Sequence, residues 1–143
     1  MDTDTFNSLL IVDDDKANLL ELIHLLRPKY KLSSAKNGIS ALKVAEENMP
    51  DLILLDVVLP GMSGYEVLAE LKKSDKTKNI PVIFITGISE AEDKYIGLNM
   101  GAVDYIQKPF NHKVVLNRVR HQIDIINLRR ELAECARLKN EEL

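Results

Sequence analysis

Three short apolar runs, LLIV at 9–12, LILL at 52–55 and VIFI at 82–85, constrain this chain more than any other feature. None contains a polar residue, so none can alternate between a dry face and a wet one. Unbroken apolar strands of this length belong to a parallel sheet covered on both faces. Two weaker runs, YKLSSA at 30–35 and DYIQ at 104–107, bring the set to five. Helical spacing fills the intervals. Leu19, Leu22, Ile23 and Leu26 share one face before Pro28 stops that helix, and Ala41, Leu42 and Ala45 repeat the pattern, as do Val67, Leu68 and Leu71. The stretch from Ala91 to Met100 is a weaker helix with Gly97 inside it and Gly101 placed to cap its end. Strands alternating with helices require crossover connections, which predicts an α/β, doubly wound, five-stranded parallel sheet of order 2-1-3-4-5 with helices on both faces.

The last 33 residues, 111–143, behave differently. Leu116, Val119, Ile123 and Ile126 form an apolar stripe suited to packing on the sheet. Ile125, Leu128, Leu132 and Cys135 form a second stripe, displaced by two residues and so on a different side of the helix. Its 3-4-3 spacing with flanking charges suits a short coiled-coil seam. The expectation is one extended C-terminal helix, with a domain over 1–122, a helical extension over 123–143, and a homodimer formed through the extension. Residues 1–110 hold twelve basic and seventeen acidic residues, which argues against direct nucleic-acid binding. Cys135 is the single cysteine, so no intramolecular disulfide can form and a reducing compartment is expected. The apolar runs are too short to cross a bilayer, and MDTDTFNS is unlike a signal peptide; a cytoplasmic location with no membrane partner is expected.

In such a sheet, ligands bind beyond the carboxyl ends of the strands. Asp13 and Asp14 follow the first run, Asp56 the third, Thr86 and Gly87 the fourth, and Lys108 the fifth. The first and third strands are neighbours in the expected order, so three carboxylates converge on one rim beside a hydroxyl and an ammonium. Crowded carboxylates need a cation, and an oxygen-only donor set with room for water favours Mg²⁺ over Ca²⁺. A carboxylate beside Mg²⁺, with a Lys and a Thr aimed at it, is equipped for phosphoryl transfer through an aspartyl phosphate. Asp15 is expected only to cap the next helix. His24, His112 and His121 have no metal-ligand spacing.

The segments LLIVDDD, PDLILLDVVLPGMSGYEVL, IPVIFITG and GAVDYIQKPF together resemble the receiver domain of two-component response regulators, in order over residues 8–122. The resemblance implies a flavodoxin-like fold and a phosphorylation-dependent signal receiver whose only chemistry is Mg²⁺-dependent gain and loss of phosphate on Asp56. It implies that Asp14 ligates Mg²⁺ directly, that Asp13 reaches the ion mainly through water, and that the Val58 backbone carbonyl is a further ligand. Lys108 would pair with the phosphoryl oxygens across a cis Lys108–Pro109 bond. Thr86 would be the switch hydroxyl, and Tyr105 the aromatic switch that turns inward as Thr86 moves. The partner implied is a sensor histidine kinase or phosphotransfer protein. Val58 and Ile88 flank the site and are apolar, which predicts a slowly hydrolysing aspartyl phosphate.

Two other readings remain open on sequence. Asp13 and Asp15, two apart after a strand, with Thr86 and Lys108, resemble the haloacid dehalogenase-like phosphatases. However, Ala17 stands where that family prefers Thr or Val, and Asp56 would have no role. Alternatively, the chain is a receiver-like dimerisation module that is never phosphorylated. Residues 111–143 show no second domain or helix-turn-helix, so any output domain is expected outside this chain. LRRELAECARLKNEEL is similar to the signalling helices that join receivers to such domains.

Overall fold

The computed structural model describes residues 7–87 and 98–142. In chain order its elements are β1 (Ser8–Val12), α1 (Lys16–Leu26), β2 (Lys31–Ala35), α2 (Gly38–Asn48), β3 (Leu52–Asp56), α3 (Gly64–Lys73), β4 (Val82–Thr86), β5 (Asp104–Gln107) and α4 (His112–Glu142). The five strands are all parallel, in the order β2-β1-β3-β4-β5. The doubly wound sheet expected from the apolar runs is therefore the one formed.

Alternation along the strands explains why three of them needed unbroken apolar sequence. Leu10, Val12, Ile53, Leu55, Val82 and Phe84 point to one face and pack with Ala41, Ala45, Val67, Leu68 and Leu71 of α2 and α3. Leu9, Ile11, Leu52, Leu54, Ile83 and Ile85 point to the other and pack with Leu19, Leu22 and Leu26 of α1 and with Val115, Val119 and Ile123 of α4. Each fully buried aliphatic side chain contributes roughly 1.5–3 kcal/mol. β2 lies at an edge and is only partly covered, which is why it tolerates Ser33 and Ser34.

Local signals set the helix starts. Asp15, Asn37 and Ser63 each hold an extended backbone and accept, through the side chain, the N–H of the residue three positions on: Asn18, Ser40 and Glu66. The helix expected over 91–100 falls outside the described residues up to 97. At its end Gly101 has φ of +102° and donates its N–H to the Leu98 carbonyl at 3.1 Å, the left-handed stop expected there.

α4 is one continuous helix of 31 residues, so the expected boundary at 122 falls inside it. Its contacts with the body continue to Arg130, which pairs with Asp51 at 2.5 Å. Asn127 exchanges hydrogen bonds with Asn7 at 3.1 and 3.3 Å, and Asp51 also accepts the Ser8 N–H at 2.8 Å. This polar cluster fastens the helix where β1 and β3 begin. The sheet-facing stripe differs from the sequence reading: Val115 is fully buried, and Leu116 and Ile126 are only partly covered.

Candidate functional site

The carboxyl ends of β1 and β3 place Val12 beside Leu55, so the residues that follow these two strands meet at one rim. Asp13 is 0% exposed and Asp56 is also buried, whereas Asp14 lies exposed at the edge. One carboxylate oxygen from each of Asp13, Asp14 and Asp56 can be chosen so that all three lie within 4.8 Å of one another. Lys108 Nζ donates to Asp56 Oδ2 at 2.7 Å and stands 3.6 Å from Asp13 Oδ2.

Backbone bonds hold these acids in place. The Asp15 N–H donates to Asp13 Oδ1 at 2.9 Å, and the Val58 N–H donates to Asp56 Oδ1 at 3.0 Å. The Lys108 N–H donates to the Thr86 carbonyl at 2.8 Å, which ties the loop after β5 to the end of β4. The Lys108–Pro109 bond is cis. Asp15 is exposed and caps α1 with its carboxylate, so it is not gathered with the other three acids.

The electrostatics are those of a site built for more positive charge than one lysine. Burial pushes the Asp13 carboxyl up to about 6; the Asp15 N–H and Lys108 pull it down, and the nearby Asp56 charge raises it. Burial also works against the charge on Lys108, but the hydrogen bond and the charge of Asp56, joined by Asp13, outweigh it and raise that pKa. Among the described residues, two buried side-chain atoms have no hydrogen-bond partner, Asp13 Oδ2 and Thr86 Oγ1. An unsatisfied buried polar atom costs about 1–3 kcal/mol. Orphan oxygens beside a carboxylate cluster suit a hard divalent cation and an incoming oxyanion.

Tyr105 lies further along β5, in register with Phe84. The Arg118 guanidinium sits 4.6 Å from its ring centroid and donates to the Tyr105 carbonyl at 2.5 Å and to Asp104 Oδ1 at 3.1 Å. Tyr105 and Arg118 line a cleft of about 460 Å³ with Gln107, Pro109 and Val114. Ile88, expected to flank the site, lies outside the described residues.

A family profile described as the response regulator receiver domain matches residues 9–120. The chain belongs to that family. It is 42% identical over 112 residues to a probable cyclic di-GMP phosphodiesterase of Vibrio cholerae serotype O1, spanning 78% of this chain and 25% of that protein. It is likewise 42% identical over 114 residues to the response regulator PleD of Caulobacter vibrioides, again 78% of this chain and 25% of the relative. This receiver thus spans about a quarter of the length of these curated relatives. Among solved structures, the receiver domain of a sensor histidine kinase from Pseudomonas aeruginosa, with a magnesium ion coordinated in its active-site cleft, matches with a TM-score of 0.77 at 27% identity, over 84% of this chain and 99% of that one.

Sequence reasoning passed over Arg118 and Gly64. Arg118 acts on a residue thirteen positions away through tertiary packing, which no local pattern announces. Gly64 opens α3 directly beneath the acidic strand end: a Cβ there would lie 2.3 Å from the Asp56 carbonyl oxygen and 2.8 Å from Val57 Cα. Its place just after the capping Ser63 was the available signal. Gly64→Ala is expected to destabilise this receiver by about 1–3 kcal/mol, because the atoms that must yield are backbone. Gly87→Ala, where a Cβ meets nothing within 4 Å among the described residues, serves as the control. Urea midpoints of the two variants check this, and equal midpoints would contradict the contact.

Proposed function

We propose that the chain receives a phosphoryl group on Asp56 from a sensor histidine kinase or phosphotransfer protein. The observation that carries this reading is the 2.7 Å contact of Lys108 with the buried Asp56, inside a cluster of three carboxylates. Asp13, Asp14 and Asp56, with the Val58 backbone carbonyl, would hold Mg²⁺. When bound, Mg²⁺ supplies positive charge to the transferring phosphoryl oxygens. The solved relative with magnesium in its cleft supports the choice of ion.

Asp56 has one oxygen held by the Val58 N–H and one by Lys108, which fixes the carboxylate plane for in-line attack. Its oxygen forms a bond to phosphorus as the phosphorus–nitrogen bond to the donor imidazole breaks, and the imidazole leaves with its electron pair and takes up a proton. Lys108 then meets the new phosphoryl oxygens. Thr86, whose hydroxyl is buried and has no hydrogen-bond partner among the described residues, donates to another. As the Thr86 side chain moves, Tyr105 turns towards the space it leaves and parts from Arg118, remodelling the face between β5 and α4. The protein acts as a signal receiver rather than as a catalyst on a separate substrate. Through α4 it pairs with a second copy. Among the described residues no helix is long and apolar enough to cross a membrane.

Acetyl phosphate with Mg²⁺ is expected to label the protein, and borohydride trapping is expected to place the modification on Asp56. Asp56→Asn should remove it. A protein that stays unlabelled in millimolar Mg²⁺ would instead be a dimerisation module. The phosphoryl lifetime carries its own expectation. Val58 is 74% exposed and apolar, so it offers no hydrogen bond to orient an attacking water. The aspartyl phosphate should persist for minutes or longer at neutral pH, and decay within seconds on the Mg²⁺-loaded protein would refute this.

A further inference from the structure

Beyond Arg130, residues 131–142 of α4 continue as helix for about 18 Å, with no hydrogen bond or ion pair to the body among the described residues. A projecting helix exposed on all sides gains little from propensity alone and needs a partner surface to persist. Its exposed faces are not equivalent. Leu128 is 55% and Leu132 61% exposed, Cys135 is exposed, and Ile125 is half-buried. These four occupy alternating a and d positions, on the side of the helix turned away from Val115, Val119 and Ile123. Arg137 pairs with Glu134 and Glu141, and all three lie on the opposite, outer flank of that seam. The ion pairs therefore leave the apolar stripe uncovered.

We propose that α4 pairs in parallel and in register with the same helix of a second copy, through a seam of Ile125, Leu128, Leu132 and Cys135. This orientation rests on the pairing with a second copy stated above. Charge decides it. In this frame Asp124 is a g residue and Arg129 the e′ residue facing it, and neither has an ion-pair partner within its own chain among the described residues. A two-fold axis along the seam brings Asp124 of each copy to Arg129 of the other, so the favourable pair forms twice. Glu131 then faces Ala136, with no clash. Turned antiparallel with the same apolar layers matched, the helices would set Glu131 against Glu131 and Arg129 against Arg129, two like-charge contacts. Lys139 falls at the next a position, where a polar residue fixes register at some cost in stability. The seam covers fewer than three heptads, so the dimer is weak and concentration-dependent.

The test uses the full chain in sedimentation at high micromolar concentration. A dimer is expected, and Leu128→Glu with Leu132→Glu should make it monomeric, with a melting transition unchanged at concentrations low enough for wild type to be monomeric too, because both side chains are exposed. Mild oxidation should join two copies covalently through Cys135, since facing d positions bring the sulfurs within disulfide reach; Cys135→Ser should not cross-link. Asp124→Arg should weaken the dimer, and adding Arg129→Asp should restore it. A monomeric wild type overturns both the pairing and its orientation. A dimer that survives the double Glu variant, or that neither cross-links nor responds to the charge swap, overturns the parallel seam alone. Phosphorylation of Asp56 is read separately by labelling, so a failure here leaves that reading standing.

Discussion

Lys108→Ala is expected to slow labelling of Asp56 by acetyl phosphate by 10²–10³-fold, about 2.7–4 kcal/mol, the usual cost of removing a preorganised charge from a developing oxyanion. The ammonium is 2.7 Å from one Asp56 oxygen and 3.6 Å from Asp13, so it is already where phosphoryl charge will develop. A Lys108→Arg variant should not recover the rate, since a planar fork cannot replace a compact point charge in a site this close. Lys108→Ala should leave Mg²⁺ affinity equal or higher, because it removes positive charge from beside three carboxylates. That opposite movement separates a role in transfer from simple loss of fold. Initial rates and a Mg²⁺ titration on one preparation give both answers, and a rate within threefold of wild type would sink the assignment.

Lys108 also illustrates what could be read from the sequence. Strand identity was legible because β1, β3 and β4 are buried on both faces and admit no polar residue except at their ends. Once their parallel order followed from the alternation with helices, the residues just past the strands had to share one rim. Asp13, Asp14, Asp56 and Lys108 emerged from that rule without a distance. What could not be read depends on contacts between segments far apart in the chain. The Asn7–Asp51–Asn127–Arg130 cluster joins residues separated by as many as 120 positions, and each member looks like an ordinary surface polar residue. Arg118 likewise reads as a solvated helix charge until β5 is laid beside it. The exchange of Leu116 for Val115 in the core is a matter of helix rotation, which apolar spacing fixes only to within about one residue, or 100°.

The seam residues raise the reverse case. Ile125, Leu128, Leu132 and Cys135 were legible as a stripe, but the sequence could not say whether the body would cover them. The clamp at Asp51 settles the direction in which α4 leaves the body, and the stripe is left facing outward. Apolar periodicity shows that a face will be buried; only packing shows against what.

Asp13→Asn is expected to stabilise the metal-free protein at neutral pH while abolishing its stabilisation by Mg²⁺. The wild-type carboxyl is fully buried, and its pKa rises from 3.8 to about 6 on folding, chiefly through lost solvation. A raised acid pKa means the folded state holds its proton more tightly than the unfolded chain. Stability from this group is therefore greatest below about pH 4 and declines as pH climbs towards about 6, where the folded state too must ionise. Asparagine has nothing to ionise, can still accept the Asp15 N–H at Oδ1, and removes a charge that opposes Asp56. The gain in metal-free protein should be on the order of 1–3 kcal/mol at pH 7, and the decline between about pH 4 and 6 should flatten. Mg²⁺ reverses the ranking. A hundredfold excess over Kd stabilises wild type by about 2.7 kcal/mol, and a variant lacking one of the three carboxylates should show little of this. Melting curves at pH 5 and 7, with and without Mg²⁺, contain the whole comparison. If Asp13→Asn is the less stable protein without metal, the buried carboxylate is held by something other than the cation it awaits. The cost carried by Asp13 in the metal-free state is, on this account, what makes the fold respond to the ion that phosphoryl transfer requires.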